Sequence, residues 1–509
     1  MLSSSQQRAV LTSTILASSM AFIDSTALNV ALPNIQANLE ISASSLVWIV
    51  NGYALFLSAL LLAGGAWGDT YGRNKVFSTG IIIFTVASVA CGLSPNHHVL
   101  IIARCIQGIG AALMVPGSLA IITSLFPNET RGKAIGTRSM FSALTTVLGP
   151  ALGGWLADAG WWRAIFFINV PIAATSLYFL RKVPESRSSD KNKTDTLGTI
   201  LITVALACLT FGFIEAANYG FDHPVIYLSI SAGFIAMIGF ITQQYKTVSP
   251  LMPLWMFKSR IFSSANLITF LIYGALAGFL FFLPLNLIQV QGYTPRQAGL
   301  AMIPFGLAIA IFSKISGTLS DKIGIRTPLI FGPLLTTIAF FIFAQQGITA
   351  GPGQFPSTFL LPIILLGAGM GLTIPPVTTA VMSTSPATHM GAASGINNTV
   401  ARTSAVLTIA ILGALGMIAF KENMITYMDT IEMTPKQQEF LHGEISKLAE
   451  AQPPPDLSIT LQNKVQAGIH QSFIYTFQQS ALISAIMSAV SVLLTFIFIR
   501  NPKPLTKKR

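Results

Sequence analysis

The chain has 509 residues, 52% of them hydrophobic and only 9% charged, with a net charge of +12 and a mean hydropathy of +0.66. A soluble domain carries about 25% charged residues, so that class is excluded. The apolar residues gather in runs of about 18–25, the length of helix that crosses a ~30 Å hydrocarbon core, and the short alternating strands of a membrane β-barrel do not appear.

Fourteen spans are expected, at residues 10–32, 46–67, 76–94, 98–122, 134–157, 163–181, 197–216, 224–243, 262–288, 297–318, 327–346, 356–380, 392–419 and 474–499. The first run lacks a small-residue cleavage pattern and continues into another span, so it reads as a retained helix and not a removed signal peptide. Asp24 lies well inside it, where a carboxylate costs roughly 2.5–3.5 kcal/mol. Arg104, Arg138, Lys314 and Arg402 also fall inside spans. Pro284, Pro375 and the length of the thirteenth span invite tilts or kinks. Residues 421–470 form a polar loop with mixed charges, including Glu432, Glu439, Glu444 and Glu450, and 436–450 is expected as a short surface helix. The loop either shapes the outer entrance or merely connects, and it is too short and polar for a catalytic domain.

Basic residues orient the bundle. With both termini cytoplasmic, most Lys and Arg fall on that side: Arg181, Lys182, Arg187, Lys191 and Lys193 crowd one loop, and Lys507, Lys508 and Arg509 close the tail. The positive charge therefore reflects topology, and no nucleic-acid partner is expected. Cys91, Cys105 and Cys208 are scattered in apolar runs and behave as small hydrophobes. His97–His98 sits in a short outer loop, without metal-site spacing. No phosphate-loop motif is present, so ATP hydrolysis is not indicated.

The chain repeats itself. GAWGDTYGR at 65–73 and GTLSDKIGIR at 317–326 both read G-x-x-x-D-x-x-G, at the same end of the second and tenth spans. GIGAALMVP at 108–116 matches GAGMGLTIP at 367–375. Spans 1–6 thus correspond to spans 9–14. The expected organisation is an N-terminal six-helix bundle at 1–181, a cytoplasmic linker with two inserted helices at 182–261, and a C-terminal six-helix bundle at 262–509. Two parallel halves are a transporter plan, with the substrate site between them at the midplane. In the loop motif, Gly65 and Gly72 permit close approach and a tight turn. Asp69 ends one helix and can face the positive N-terminus of another. With Arg73, Lys75 and the repeated Asp321, it reads as a cytoplasmic latch between halves, or as a loop obeying the charge rule.

On these motifs the chain resembles the major facilitator superfamily, and within it the fourteen-helix drug:proton antiporter branch. GAWGDTYGRNK at 65–75 is similar to the superfamily's loop signature, and DSTALNVALP at 24–33 to the branch's helix 1 signature. RCIQGIGAA at 104–112, GPALGG at 149–154 and WWRAIFFINVP at 161–171 resemble the signatures of helices 4, 5 and 6. Three departures stand out. Thr145 replaces a usual antiporter-signature glycine, Ile363 stands in the second half where the first has Arg104, and Thr408–Ile409 stands where the first has Gly149–Pro150. The first half is therefore expected to carry the coupling chemistry.

The resemblance implies an all-α polytopic membrane protein with the major facilitator fold and proton and substrate roles for Asp24 and Arg104. Burial disfavours a charged carboxylate and a nearby cation favours it, so such a site can load and release a proton. The alternative is a buried pair that only holds helices 1 and 4. Gln107, at i+3 from Arg104, shares its helix face. Arg402, near Asn397 and Asn398, is a further substrate or coupling candidate. Arg138 and Lys314 are expected to snorkel to head groups, and Glu215 to touch water. Gly149 and Gly153 form a small-x-x-x-small face, Pro150 invites a bend, and Gly154 completes the motif. Trp48, Tyr53, Phe281, Phe282 and Phe305 either line an amphiphile pocket or serve as core. The implied activity is proton-coupled export of amphipathic small molecules by alternating access. Export of one endogenous product such as a siderophore, lipid or metabolite is the alternative. An enzyme would need an intramembrane nucleophile–base or His-rich cluster, which the sequence lacks. No cofactor is expected. The partners are substrate, protons and membrane lipids around an inner-membrane monomer, with a periplasmic adaptor and outer-membrane channel in a Gram-negative cell.

Overall fold

In hydrocarbon every backbone N–H and C=O must find its partner within the chain, so each apolar run closes on itself as a helix. The computed structural model describes residues 3–126, 128–186, 195–383 and 390–499, and no strand occurs among them. Helix α1 spans Ser4–Leu39, α2 Ala43–Tyr71, α3 Arg73–Gly92, α4 His97–Leu125, α5 Asn128–Asp158 and α6 Ala164–Leu180. Then come α7, Thr196–Tyr219, and α8, Pro224–Lys246. The second half runs through α9, Arg260–Leu285, and α10, which is Pro295–Ala301 continued by Ile303–Ile323. It ends with α11 Arg326–Ala344, α12 Leu360–Ser383, α13 Met390–Met428 and α14 Ile459–Phe498. Ser3 opens α1 through a capping box with Gln6, while Ser42, Asn96, Asp195 and Ser458 cap α2, α4, α7 and α14.

Among the described residues, twelve helices are long and apolar enough to cross a membrane. The expected fourteen are not reached by that measure. Many residues of α5 lie outside the described side chains, and α6 is interrupted at Ile168 and shorter than the others. A π-helical turn at Asn286–Val290 follows Pro284 and ends the ninth span.

The helix pairing repeats. In the first half α2 and α3 pack on α4, and α1 packs on α5 and α6; in the second α10 and α11 pack on α12, and α9 on α13 and α14. The halves meet along two equivalent seams, α2 with α13 and α5 with α10. The inserted α7 packs on α8 and also on α2 and α13, so it covers one seam and, among the described residues, has no counterpart on the other.

The segment at 421–470 is not simply a surface loop. Helix α13 runs on to Met428 and α14 begins at Ile459, giving 39 and 40 residues. At ~1.5 Å per residue these approach ~60 Å, about twice the hydrocarbon thickness, so both project beyond it. Between them Pro435–Glu444 is helical, but Leu441, Ile445, Leu448, Ala449 and Ala451 are buried against the bundle. The expected surface helix is therefore half core. Gln36 Nε2 donates to the Lys447 carbonyl at 2.9 Å, and Gln289 Nε2 donates to Gln36 at 3.0 Å and to Glu450 at 3.1 Å. Burial raises the Glu450 carboxyl above its ordinary range, while the Gln289 donor opposes that rise. The described hydrogen bonds between the halves, including Asn51 Nδ2 to the Val406 carbonyl at 3.2 Å, lie toward this loop-bearing face. Arg187, Lys191 and Lys193 of the basic linker and Lys507, Lys508 and Arg509 of the tail lie outside the described residues.

Gln438 on the loop helix is exposed. A single cysteine at Gln438 in a Cys-free background is expected to react with an impermeant maleimide added outside intact spheroplasts. Labelling that needs the membrane opened would reverse the orientation.

Candidate functional site

Helix α4 places Arg104 and Gln107 three residues apart on one face, turned toward Asp24 on α1. Arg104 Nη1 donates to Asp24 Oδ2 in a short ion pair, and to Gln107 Oε1 at 2.8 Å. Gln107 Nε2 closes the triangle on Asp24 Oδ1 at 2.9 Å. Arg104 Nε donates to the Ile49 carbonyl of α2 at 3.1 Å, and its guanidinium carbon lies 4.4 Å from the Tyr53 ring centre. Asp24, Arg104 and Gln107 are all at most 1% exposed. The close approach of α2 needs Gly52, where a Cβ would meet Cys105 Sγ at 3.1 Å and Arg104 Cβ at 3.8 Å. The triad is thus closed and neutral, with its donors and acceptors largely spent on one another. Removing one charge would strand the other, at about 3–5 kcal/mol.

Arg138 does not snorkel. It is 8% exposed and its Nη2 donates to Ser18 Oγ at 3.0 Å and Ser118 Oγ at 2.8 Å, so it binds α5 to α1 and α4. These inward hydroxyls hold its Nη2, while its buried Nε has no hydrogen-bond partner among the described residues. Arg402 is half-buried on α13, with Tyr53 of α2, Tyr273 of α9 and Arg138 of α5 in its electrostatic reach. Beside it Asn397 donates to Asn266 at 3.1 Å and Thr269 at 2.8 Å. Lys314 is exposed. Glu215 is held rather than free in water: Trp48 Nε1 donates to it at 2.9 Å and Asn218 Nδ2 at 2.9 Å, joining α7 to α2. Trp48 is accordingly a helix-joining residue, and Phe281 and Phe282 are core, 2% and 0% exposed. Phe305 is partly buried against the core.

At the opposite face Gly72 takes φ +113°, which an L side chain rarely adopts, and makes the turn from α2 to α3. Gly65 is not the point of close approach: a Cβ there would lie at an ordinary 3.7 Å from Pro116. The preceding Gly64 holds that place, pressed against the Ala112 carbonyl of α4. Arg73 folds back on Asp69, 2.8 Å away, so Asp69 pairs locally. The carboxylate at the α3 N-terminus is Glu185 of the linker, which accepts from the Asn74 backbone N–H at 2.9 Å. Asn74 Nδ2 also donates to the Val183 and Pro184 carbonyls at 2.9 and 2.8 Å. Glu185 could have been suspected as the acid beside a basic linker. Asp321 lies in the last turn of α10, and its side chain is outside the described residues. Asp69→Asn is expected to slow turnover about tenfold while substrate affinity stays within twofold, read from initial rates against equilibrium binding. Unchanged turnover with lost binding would move Asp69 into the substrate site.

Helix α5 carries the GPALGG segment. A side chain at Gly149 would strike Thr26 Oγ1 and one at Gly153 the Ala27 carbonyl, so these glycines seat α5 on α1. Gly154 turns the other way, onto the Pro295 carbonyl, and Gly299 lies equally close to the Pro150 carbonyl. Pro150 lies within α5, and Thr145 Oγ1 donates to its own helix at Phe141. One helix therefore uses two adjacent glycines on two partners, Gly153 within its half and Gly154 across the seam.

The family model described as Major Facilitator Superfamily matches residues 14–409. The Multidrug resistance protein Stp of Mycobacterium tuberculosis is 30% identical over 83% of this chain and 78% of its own length. The Tetracenomycin C resistance and export protein of Streptomyces glaucescens is 31% identical over 78% of this chain and 73% of its own. The Multidrug transporter protein MdtP of Bacillus subtilis is 28% identical over 88% and 83%. Among solved structures, a bacterial homologue of the human lysosomal transporter Spinster, inward-facing and unoccupied, superposes with a TM-score of 0.67 at 19% identity. It covers 99% of this chain and 100% of that one.

Proposed function

The chain belongs to the Major Facilitator Superfamily, and from that premise we propose that it is a proton-coupled antiporter exporting amphipathic small molecules by alternating access. The observation that carries this reading is the closed Asp24–Arg104–Gln107 triad at membrane depth. A proton arriving at Asp24 cancels the carboxylate charge and weakens its hold on Arg104, which cannot itself give up a proton. Loosening that hold frees α1 and α4 to shift against each other. Losing the proton restores the pair. Because α1 also carries Gln36 at the loop-bearing face and Ala27 against α5, a shift of α1 reaches both the closed face and the seam.

The two bundles at 1–181 and 262–509 act as the rocking units, with 182–261 as an inserted pair, in a fourteen-span topology with both termini cytoplasmic. The loop-bearing face is then the outer one. The protein works in the cytoplasmic membrane as a monomer, without a cofactor. In a Gram-negative cell an adaptor and outer-membrane channel would receive the product. The names of the relatives, multidrug resistance and transport proteins, support a broad substrate range. The relative named for tetracenomycin C export favours a second reading, one dedicated product.

Everted membrane vesicles from a host lacking its own pumps separate these readings. Several unrelated dyes accumulating only under an imposed pH gradient, and stopping on addition of a protonophore, is the expected result. Accumulation of a single compound class would favour the dedicated exporter, and uptake indifferent to the gradient would overturn proton coupling.

A further inference from the structure

The charges placed within the spans do not balance. Among the described Asp and Glu residues only Asp24 lies mid-span, since Glu215 sits near the loop-facing end of α7 and Glu129 and Asp321 at the opposite ends of α5 and α10. Three arginines lie within the spans: Arg104 beside Asp24, Arg138 at the level of Ser18, six residues earlier on α1, and Arg402 on α13. Asp24 is spent on Arg104. Arg138 is held only by the neutral hydroxyls of Ser18 and Ser118, and its buried Nε has no hydrogen-bond partner among the described residues. Arg402 takes part in none of the described hydrogen bonds or ion pairs, although it stands on α13, the helix that packs on α2 across the seam, within electrostatic reach of Tyr53, Tyr273 and Arg138.

Structural buried cations normally come with an anion, because an isolated charge in a low dielectric is costly. Asn397, five residues before Arg402, is committed to Asn266 and Thr269, and Asn398, one turn before it, donates to the Ser394 carbonyl of its own helix. An anionic group on a bound molecule can supply the missing charge. We propose that Arg402, with Arg138 on the opposing half, binds the acidic group of the substrate, so that the exported amphiphile carries a carboxylate or sulfonate on an apolar body. A guanidinium fork pairs such groups through two parallel hydrogen bonds. The two cations stand on different halves, α5 and α13, so an anion between them draws the halves together, whereas a cationic ligand would meet repulsion from both. This narrows the proposed export to one substrate class and rests on that reading, but it is tested by binding and not by flux.

Purified full-length chain is titrated with three fluorescent probes: anionic 8-anilinonaphthalene-1-sulfonate, cationic ethidium and neutral Nile red. The wild type is expected to bind the sulfonate at least tenfold more tightly than ethidium. Arg402→Gln should lose about tenfold in sulfonate affinity, about 1.4 kcal/mol, and keep Nile red within twofold. Arg402→Lys should retain part of the sulfonate affinity, and Arg138→Gln should lower it in the same direction. Equal loss of sulfonate and Nile red in Arg402→Gln, with an unchanged gel-filtration profile, would assign Arg402 a packing role and overturn the proposal. Ethidium binding as tight as sulfonate binding would overturn it as well. Because no gradient is applied, absence of proton-driven export would sink the antiport reading and leave these affinities to be judged on their own.

Discussion

Asp24→Asn is expected to reduce pH-gradient-driven dye export in proteoliposomes to background, a loss of at least a hundredfold. The amide keeps the shape and one acceptor, but it cannot take up and release a proton. It also leaves Arg104 without its counter-charge, held by the Ile49 carbonyl, Gln107 and the Tyr53 ring. Those remaining contacts keep the stability cost near or below the lower end of the ~3–5 kcal/mol for a broken buried pair. The double variant Asp24→Asn with Arg104→Gln removes both charges and so leaves no buried charge without its partner. If the pair only clamps α1 to α4, the double variant should recover export. If the pair carries protons, it should regain stability and still fail to export. Gradient-dependent export by Asp24→Asn at the wild-type rate would end the assignment outright.

The second large effect is expected from Gly154→Leu. Gly154 and Gly299 bring α5 and α10 into backbone contact across the seam, at the Pro295 and Pro150 carbonyls. A leucine there cannot be seated without parting the helices. Overpacking of this kind costs roughly 1–3 kcal/mol, and here it falls only on the state in which the loop-bearing face is closed. The closed state should therefore lose about 10–100-fold in population against the open one. Each half keeps its own packing, since α1–α5 contact runs through Gly149 and Gly153 on the other side of α5. Turnover should fall at least tenfold with little change in thermal stability, while a cysteine at Gln289, now part-buried between Gln36 and Glu450, becomes more reactive to a maleimide. Wild-type turnover, or collapse of the fold, would show that this contact does not govern closure.

The half-to-half correspondence was legible because repeated spacing survives where residue identity does not. The G-x-x-x-D-x-x-G pair and the two Gly-rich stretches lead to the pairing actually found, α2 and α3 on α4 echoed by α10 and α11 on α12. The insertion was legible as leftover length, but its seat over the α2–α13 seam was not. The end of the 421–470 segment was misjudged for a physical reason. Polarity marks where hydrocarbon stops, whereas α13 and α14 continue as helices in water because they pack on each other and on the turn at residues 445–450.

Sequence by itself determined that this chain is a bundle of membrane helices built from two related halves, because hydrocarbon leaves an apolar run no other way to satisfy its backbone. It also singled out Asp24, since one carboxylate inside an apolar span is conspicuous without any neighbour. Only the tertiary structure decided what each polar group touches. These helices are apolar nearly all round, so their sequences do not say which face turns inward. That rotation put Arg138 on Ser18 and Ser118 rather than in head groups, and gave the tight contact to Gly64 instead of Gly65. The carboxylate at α3 likewise came from Glu185, more than a hundred residues away, because a turn is completed by whatever the fold brings to it.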